Sequence, residues 1–148
     1  MEYSKAGLSL TEGFEHCRLL AYPDSGGVLT IGWGHVGPEV LRGMMISQAQ
    51  ADKLLLSDVA AAVNAINHLV KVPLSQDEFD GLTDFAFNCG VGAFRDSHLL
   101  VLLNQGDIAA AAYEFQRWDR CKGVVMAGLL RRREAEETLF EKPDVSTH

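Results

Sequence analysis

Two carboxylates and a hydroxyl lie close together near the start of the sequence: Glu15, Asp24 and Thr30. Between the first two runs Leu19-Leu20-Ala21-Tyr22, a strand-like apolar segment. Asp24-Ser25-Gly26-Gly27 is a turn signal, and Val28-Leu29-Thr30-Ile31 reads as the returning strand, rich in β-branched residues. A hairpin folded back on a helix end can set two carboxyls facing one another across a groove. That geometry suits cleavage of a glycosidic bond. One carboxyl gives its proton to the leaving oxygen, and the other, ionised, activates water or attacks the sugar. Thr30 can hold the water, because a hydroxyl both donates and accepts. On spacing alone the plainer reading is preferred: two solvated surface acids, with Asp24 a turn residue.

The wider pattern reverses that preference. Glu15, Asp24 and Thr30, followed by Ile31-Gly32-x-Gly34-His35, resemble the active-site signature of phage-type lysozymes (endolysins, glycoside hydrolase family 24). The resemblance continues through Phe79-Asp80-x-Leu82, Phe85-Ala86-Phe87-Asn88-x-Gly90 and Gly92-x-Phe94. It ends in Gly128-Leu129-x-Arg131-Arg132-Arg133-Glu134. It implies an α+β, mainly α, lysozyme-like two-lobed fold with a small antiparallel sheet. Residues 1–148 would form one catalytic domain: a sheet lobe at roughly 15–50, a linking helix at roughly 47–68, and a helical lobe at roughly 69–142 that also takes in the N-terminal helix. The cleft would lie between the lobes.

The elements that must position these groups can be read in order. Ser4 to Glu15 is a helix with Ser4 as N-cap and Gly7, Leu10 and Phe14 on one face. A third short strand is expected at Trp33 to Val36. Ser47-Gln48-Ala49-Gln50 is a capping box opening a long helix to about His68. Ser75-x-x-Glu78 is a second box, opening a helix that Gly90 stops. Ser97 to Asn104 is a short apolar helix. Asp107 caps another that runs to Trp118. Cys121 to Gly128 reads as a loop, Leu129 to Phe140 as the last helix with Leu130 and Leu139 inward, and Asp144 to His148 as frayed.

Composition sets limits. The chain has 148 residues and a net charge of −7, long enough for one real core. Residues 1–15 read as neither a secretory signal nor a membrane anchor. Cys17, Cys89 and Cys121 are expected to be small buried hydrophobes rather than a disulfide framework. No pair of histidines has ligand spacing, so no metal and no cofactor are expected. The acidic balance is awkward for a protein acting on an anionic wall. A basic zone (Arg117, Arg120, Lys122 and Arg131 to Arg133) is the expected compensation, or simply a solvated helix face. It lacks interleaved aromatics, so nucleic-acid binding has little support.

The reading is a muramidase, inverting by resemblance, that hydrolyses the β-1,4 bond between N-acetylmuramic acid and N-acetylglucosamine in peptidoglycan. Glu15 is the expected general acid, Asp24 the base that orients or deprotonates water, and Thr30 the water holder. Substrate contacts are expected from Asn88, by resemblance, although it also reads as a helix C-cap. They are expected too from Arg132, which would form a charge-assisted pair if it reached Glu15. His35 is a third candidate, although a histidine closing a small sheet more often fixes structure through hydrogen bonds. His16 stands where the family commonly has glycine, and is expected to be exposed. Without an export signal the protein is expected to accumulate in the host cytoplasm, and the resemblance implies release to the wall through a phage-encoded pore, a holin. A monomer without membrane insertion is expected. A lytic transglycosylase would leave Asp24 and Thr30 without a task, and a non-catalytic wall-binding domain would not need the intact set.

Overall fold

The computed structural model describes residues 1–121, 124–125 and 127–143, with backbone alone at 120–121 and 124–125. The chain divides into two compact units, Thr11–Ala60 and Met1–Leu10 with Ala61–His148.

The unit of residues 11–60 is built on a small antiparallel sheet. Helix α1 (Lys5–Glu15) ends in it, and β1 (Arg18–Pro23), β2 (Leu29–Gly32) and β3 (His35–Val36) pair in that order. Tyr22 faces Thr30 across the first ladder, and Thr30 faces Val36 across the second. β3 is shorter than the expected Trp33 to Val36, because Trp33 and Gly34 form the turn that joins it to β2. The outer edge of β1 is covered by the chain near Met45. The Ala21 N–H donates to the Met44 carbonyl at 2.9 Å, and the Ile46 N–H to the Leu19 carbonyl at 2.9 Å. Covering that edge removes a row of unpaired backbone groups. Helix α2 (Gln48–Leu69) starts at the expected box: the Ser47 hydroxyl accepts from the Gln50 N–H, and Gln50 Oε1 accepts from the Ser47 N–H. Ile31, Val40, Ala51, Leu55 and Val59 are this unit's buried apolar residues.

The other unit is helical. Ser4 caps α1 as expected, its hydroxyl accepting from the Gly7 N–H, and it also ties to the buried carboxylate of Asp80. Helix α3 (Gln76–Cys89) begins with both halves of the Ser75/Glu78 box. α4 (Val91–Arg95), α5 (His98–Asn104) and α6 (Ile108–Glu114) follow, the last passing into a 3-10 turn at Phe115–Trp118 rather than continuing as α-helix. Phe85 anchors the core, edge-on to Phe115 and Trp118 at 5.5 Å each and to Phe94 at 6.2 Å. Such pairs add about 0.5–1.5 kcal/mol beyond the area they bury. The expected loop at 121–128 holds a two-stranded ladder, β4 (Arg120–Cys121) with β5 (Val124–Val125). Lys122-Gly123 and the tail Asp144 to His148 lie outside the described residues.

Helix α7 (Ala127–Phe140) corrects the expected packing. Its buried residues are Arg132, Arg133, Glu136, Glu137 and Phe140, while Leu130 and Leu139 are only half-buried. α3 approaches α7 closely at Gly81, where an added Cβ would meet the Glu136 carbonyl at 2.9 Å. The expected basic zone loses Arg132 and Arg133 for the same reason, while Arg117 and Arg131 stay exposed. Arg132 and Arg133 are buried among acids, and Arg117 pairs with Glu114 at 3.3 Å. The Arg120 side chain and Lys122 are outside the described residues. Cys17 and Cys89 are free but only partly buried, short of the full burial expected. Burial pushes the Cys89 thiol up to about 11. The Cys121 side chain is not among those described.

Candidate active site

Glu15 is the last residue of α1 and is half-buried. His16, next to it, is exposed and has φ 49°, a left-handed conformation. That is the helix C-terminal position where glycine is favoured because it lacks a Cβ. The departure from the family's glycine is therefore a backbone matter first. Histidine is among the side chains that tolerate this region better than most. Across from Glu15, Gly34 closes the β2–β3 turn at φ 93°, where a side chain would be strained. A Cβ there would lie 3.6 Å from each Glu15 carboxylate oxygen. Gly34 thus brings bare backbone beside the carboxylate.

Asp24 sits at the tip of the β1–β2 hairpin, exposed. Its Oδ1 accepts from the Gly26 N–H at 2.8 Å and the Val28 N–H at 2.9 Å. The turn reading was correct for that oxygen. It does not exclude the other, because Oδ2 has no partner among the described residues. Two backbone donors fix the plane of the carboxylate and leave Oδ2 aimed by the turn. Thr30, on β2, is buried, and its hydroxyl donates to the Val28 carbonyl at 3.0 Å. With its hydrogen committed, Thr30 Oγ1 has only acceptor capacity left for a third group. Val28 thus holds both residues: its N–H donates to the Asp24 carboxylate, and its carbonyl accepts from the Thr30 hydroxyl and from the Asp24 N–H, the latter at 2.9 Å.

His35 has neither ring nitrogen to spare for a substrate. Nδ1 lies 2.8 Å from Asp58 Oδ2, and Nε2 lies 2.5 Å from Glu39 Oε1. Burial acts to lower its pKa, but the hydrogen bonds to Glu39 and Asp58 and their charges outweigh it, and the pKa is raised. The ring thus sits as a clamp between β3 and α2, the structural setting that a histidine closing a small sheet suggests. Neither partner was found from sequence. Glu39 stands four residues away, and Asp58 reads as one more polar residue on an amphipathic helix. Trp33 was missed as well: its indole N–H donates to Asp52 at 2.8 Å, and Gln48 donates to the same oxygen at 2.9 Å.

In the helical unit, Arg132 forks onto Asp84, Nε to Oδ2 at 2.9 Å and Nη2 to Oδ1 at 2.8 Å. Both residues are buried, so this bidentate pair, not a solvated surface, is its setting. Asn88 is half-buried near the end of α3, and its Oδ1 accepts from Arg133 Nη2 at 2.8 Å. The same Nη2 donates to Glu136 Oε2 at 2.8 Å. Arg133 Nε lies 2.6 Å from Glu136 Oε1 without hydrogen-bond geometry, so that contact is an ion pair only. Burial, then the hydrogen bond and charge of Asp84, push the Glu136 carboxyl well above its ordinary range.

Comparison with known proteins places the chain in a family. The profile described as phage lysozyme matches residues 12–136. The chain belongs to the phage lysozyme family. An endolysin of Bacillus phage PZA is 44% identical over 142 residues, covering 95% of this chain and 55% of that protein. The chain thus spans about half the length of that relative. Among solved structures, the endolysin from Escherichia coli O157:H7 phage FAHEc1 has a TM-score of 0.90 and 37% identity, covering 96% of this chain and 94% of the other. The muramidase domain of SpmX from Asticaccaulis excentricus has a TM-score of 0.88 and 37% identity, covering 96% of this chain and 99% of the other. The mainly helical fold with a small antiparallel sheet is the phage lysozyme fold. No metal-binding group of histidine, cysteine and acidic residues occurs among the described residues.

Proposed function

We propose that this chain is a muramidase that hydrolyses the β-1,4 bond between N-acetylmuramic acid and N-acetylglucosamine in bacterial peptidoglycan, with inversion. Glu15 protonates the glycosidic oxygen as the bond to the anomeric carbon breaks. Water attacks that carbon and loses its proton to Asp24. The observation that carries this reading is the pair of commitments to Val28. A water has two hydrogens. Asp24 Oδ2 can accept one, and Thr30 Oγ1, whose own hydrogen is spent, can accept the other. The lone pair is then left for the anomeric carbon, as an inverting reaction requires. Asn88 supplies a hydrogen bond to the saccharide. Arg132 and His35 support the structure through their acids. The chain acts as a monomer and reaches the wall from the cytoplasm through a holin pore. Among the described residues no helix is long and apolar enough to cross a membrane.

The test is mass spectrometry of purified peptidoglycan after digestion by the wild type and by Glu15→Gln. Reducing muramic-acid ends from the wild type alone are expected. Anhydro-muramic ends would make the protein a transglycosylase instead, and no new fragments from a folded wild type would leave a binding domain.

A further inference from the structure

Arg133 is fully buried, as is its partner Glu136, and its guanidinium lies over the Phe85 ring at 5.2 Å from the centroid. Burying a cation this deep is costly unless every contact is used. Nη1 meets the Cys89 sulfur, and Nη2 divides between Glu136 and Asn88. The Asn88 contact has a consequence the others lack. A guanidinium can only donate, so the Asn88 side chain must present its carbonyl inward. Its Nδ2 group, which has no partner among the described residues, is left as the free edge of a half-buried side chain. An unrestrained asparagine would present oxygen and nitrogen interchangeably.

We propose that Arg133 is a positioning residue: locked by Glu136, it sets the Asn88 amide so that a donor, never an acceptor, is offered to an acceptor oxygen of the saccharide. The inference rests on the muramidase reading and adds the polarity of one contact to it. A donor edge selects for a carbonyl or ring oxygen, such as the acetamido oxygen of an N-acetylated sugar.

Asn88→Asp separates the parts, because the carboxylate still accepts from Arg133 but has nothing to donate. Kinetics on soluble peptidoglycan fragments should show KM raised about two- to tenfold, the range of one hydrogen bond, with kcat little changed. Arg133→Lys keeps the charge and loses the fork. It should raise KM to a similar extent, and the double variant should be no worse than Asn88→Asp alone. In the wild type, the Asn88 side-chain amide signals, assigned by their absence in Asn88→Asp, should shift on adding an N-acetylglucosamine oligomer. That measurement stands even if Arg133→Lys does not fold. An unshifted amide, or an unchanged KM in Asn88→Asp, would overturn the inference while muramic-acid ends in the digest still upheld the muramidase. A raised KM in Asn88→Asp beside an unaltered KM and amide signal in folded Arg133→Lys would reduce Arg133 to a purely structural part.

Discussion

The hairpin around Asp24 and the buried face of α7 are both networks of charged and polar groups, but they are wired at different ranges. In the hairpin, Asp24 and Thr30 find their partners two to four residues away. On α7, Arg132 reaches a residue 48 positions away and Arg133 one 45 away. The first network is a property of the local chain. The second exists only when α3 and α7 have packed. The hairpin should therefore tolerate the loss of its chemistry without losing its shape, whereas the α7 network should lose its shape with its charges.

Glu15→Gln is the largest expected effect. Its lytic rate should fall by about 10²–10⁴-fold, the contribution of general acid catalysis, while thermal unfolding stays cooperative and close to the wild-type temperature. Near-normal lysis by the purified variant would end the assignment. In the other region, Asp84→Ala leaves Arg132 buried without its carboxylate and should cost about 3–5 kcal/mol of stability in urea titration. A loss under 1 kcal/mol would mean that water or another acid already compensates Arg132.

The His35 clamp lies between these extremes, since Glu39 is local and Asp58 is not. Its pKa is raised above the unfolded value of about 6.5. The stabilisation is therefore full below that unfolded value and is lost as pH rises through the higher folded one. Asp58→Asn should cost about 1–3 kcal/mol near pH 5.5, and less once pH has risen through the raised folded value. A cost that does not change with pH would show that the bond works with neutral imidazole. The smallest expected effect is His16→Gly, which relieves the left-handed φ and should raise stability by about 0.5–1 kcal/mol. No gain in melting temperature would show that the added freedom of glycine in the unfolded chain cancels the relief.

Legibility followed the same division. The capping boxes at Ser47 and Ser75 and the turn at Asp24 were readable because each side chain bonds its own neighbourhood. The proposed catalytic triplet needed the resemblance as well, since Asp24 alone looks like an ordinary turn residue. The arginines of α7 read as a solvated or steering face because nothing nearby in sequence marks their acids as buried partners. Leu130 and Leu139 read as core by type, yet α7 turns its ion pairs inward instead. Packing of α3 against α7 decided that, and no local period carries it.

The Val28 N–H, bonded to the Asp24 carboxylate, and the Val28 carbonyl, shared by the Asp24 N–H and the Thr30 hydroxyl, make the hairpin a cassette of fixed length. Loop redesign that adds or removes one residue between Asp24 and Val28 would shift both side chains together. A redesigned turn can therefore change residue type at exposed Ser25 but not residue number, and a hairpin grafted from another enzyme must carry all of Asp24 to Thr30 as one piece.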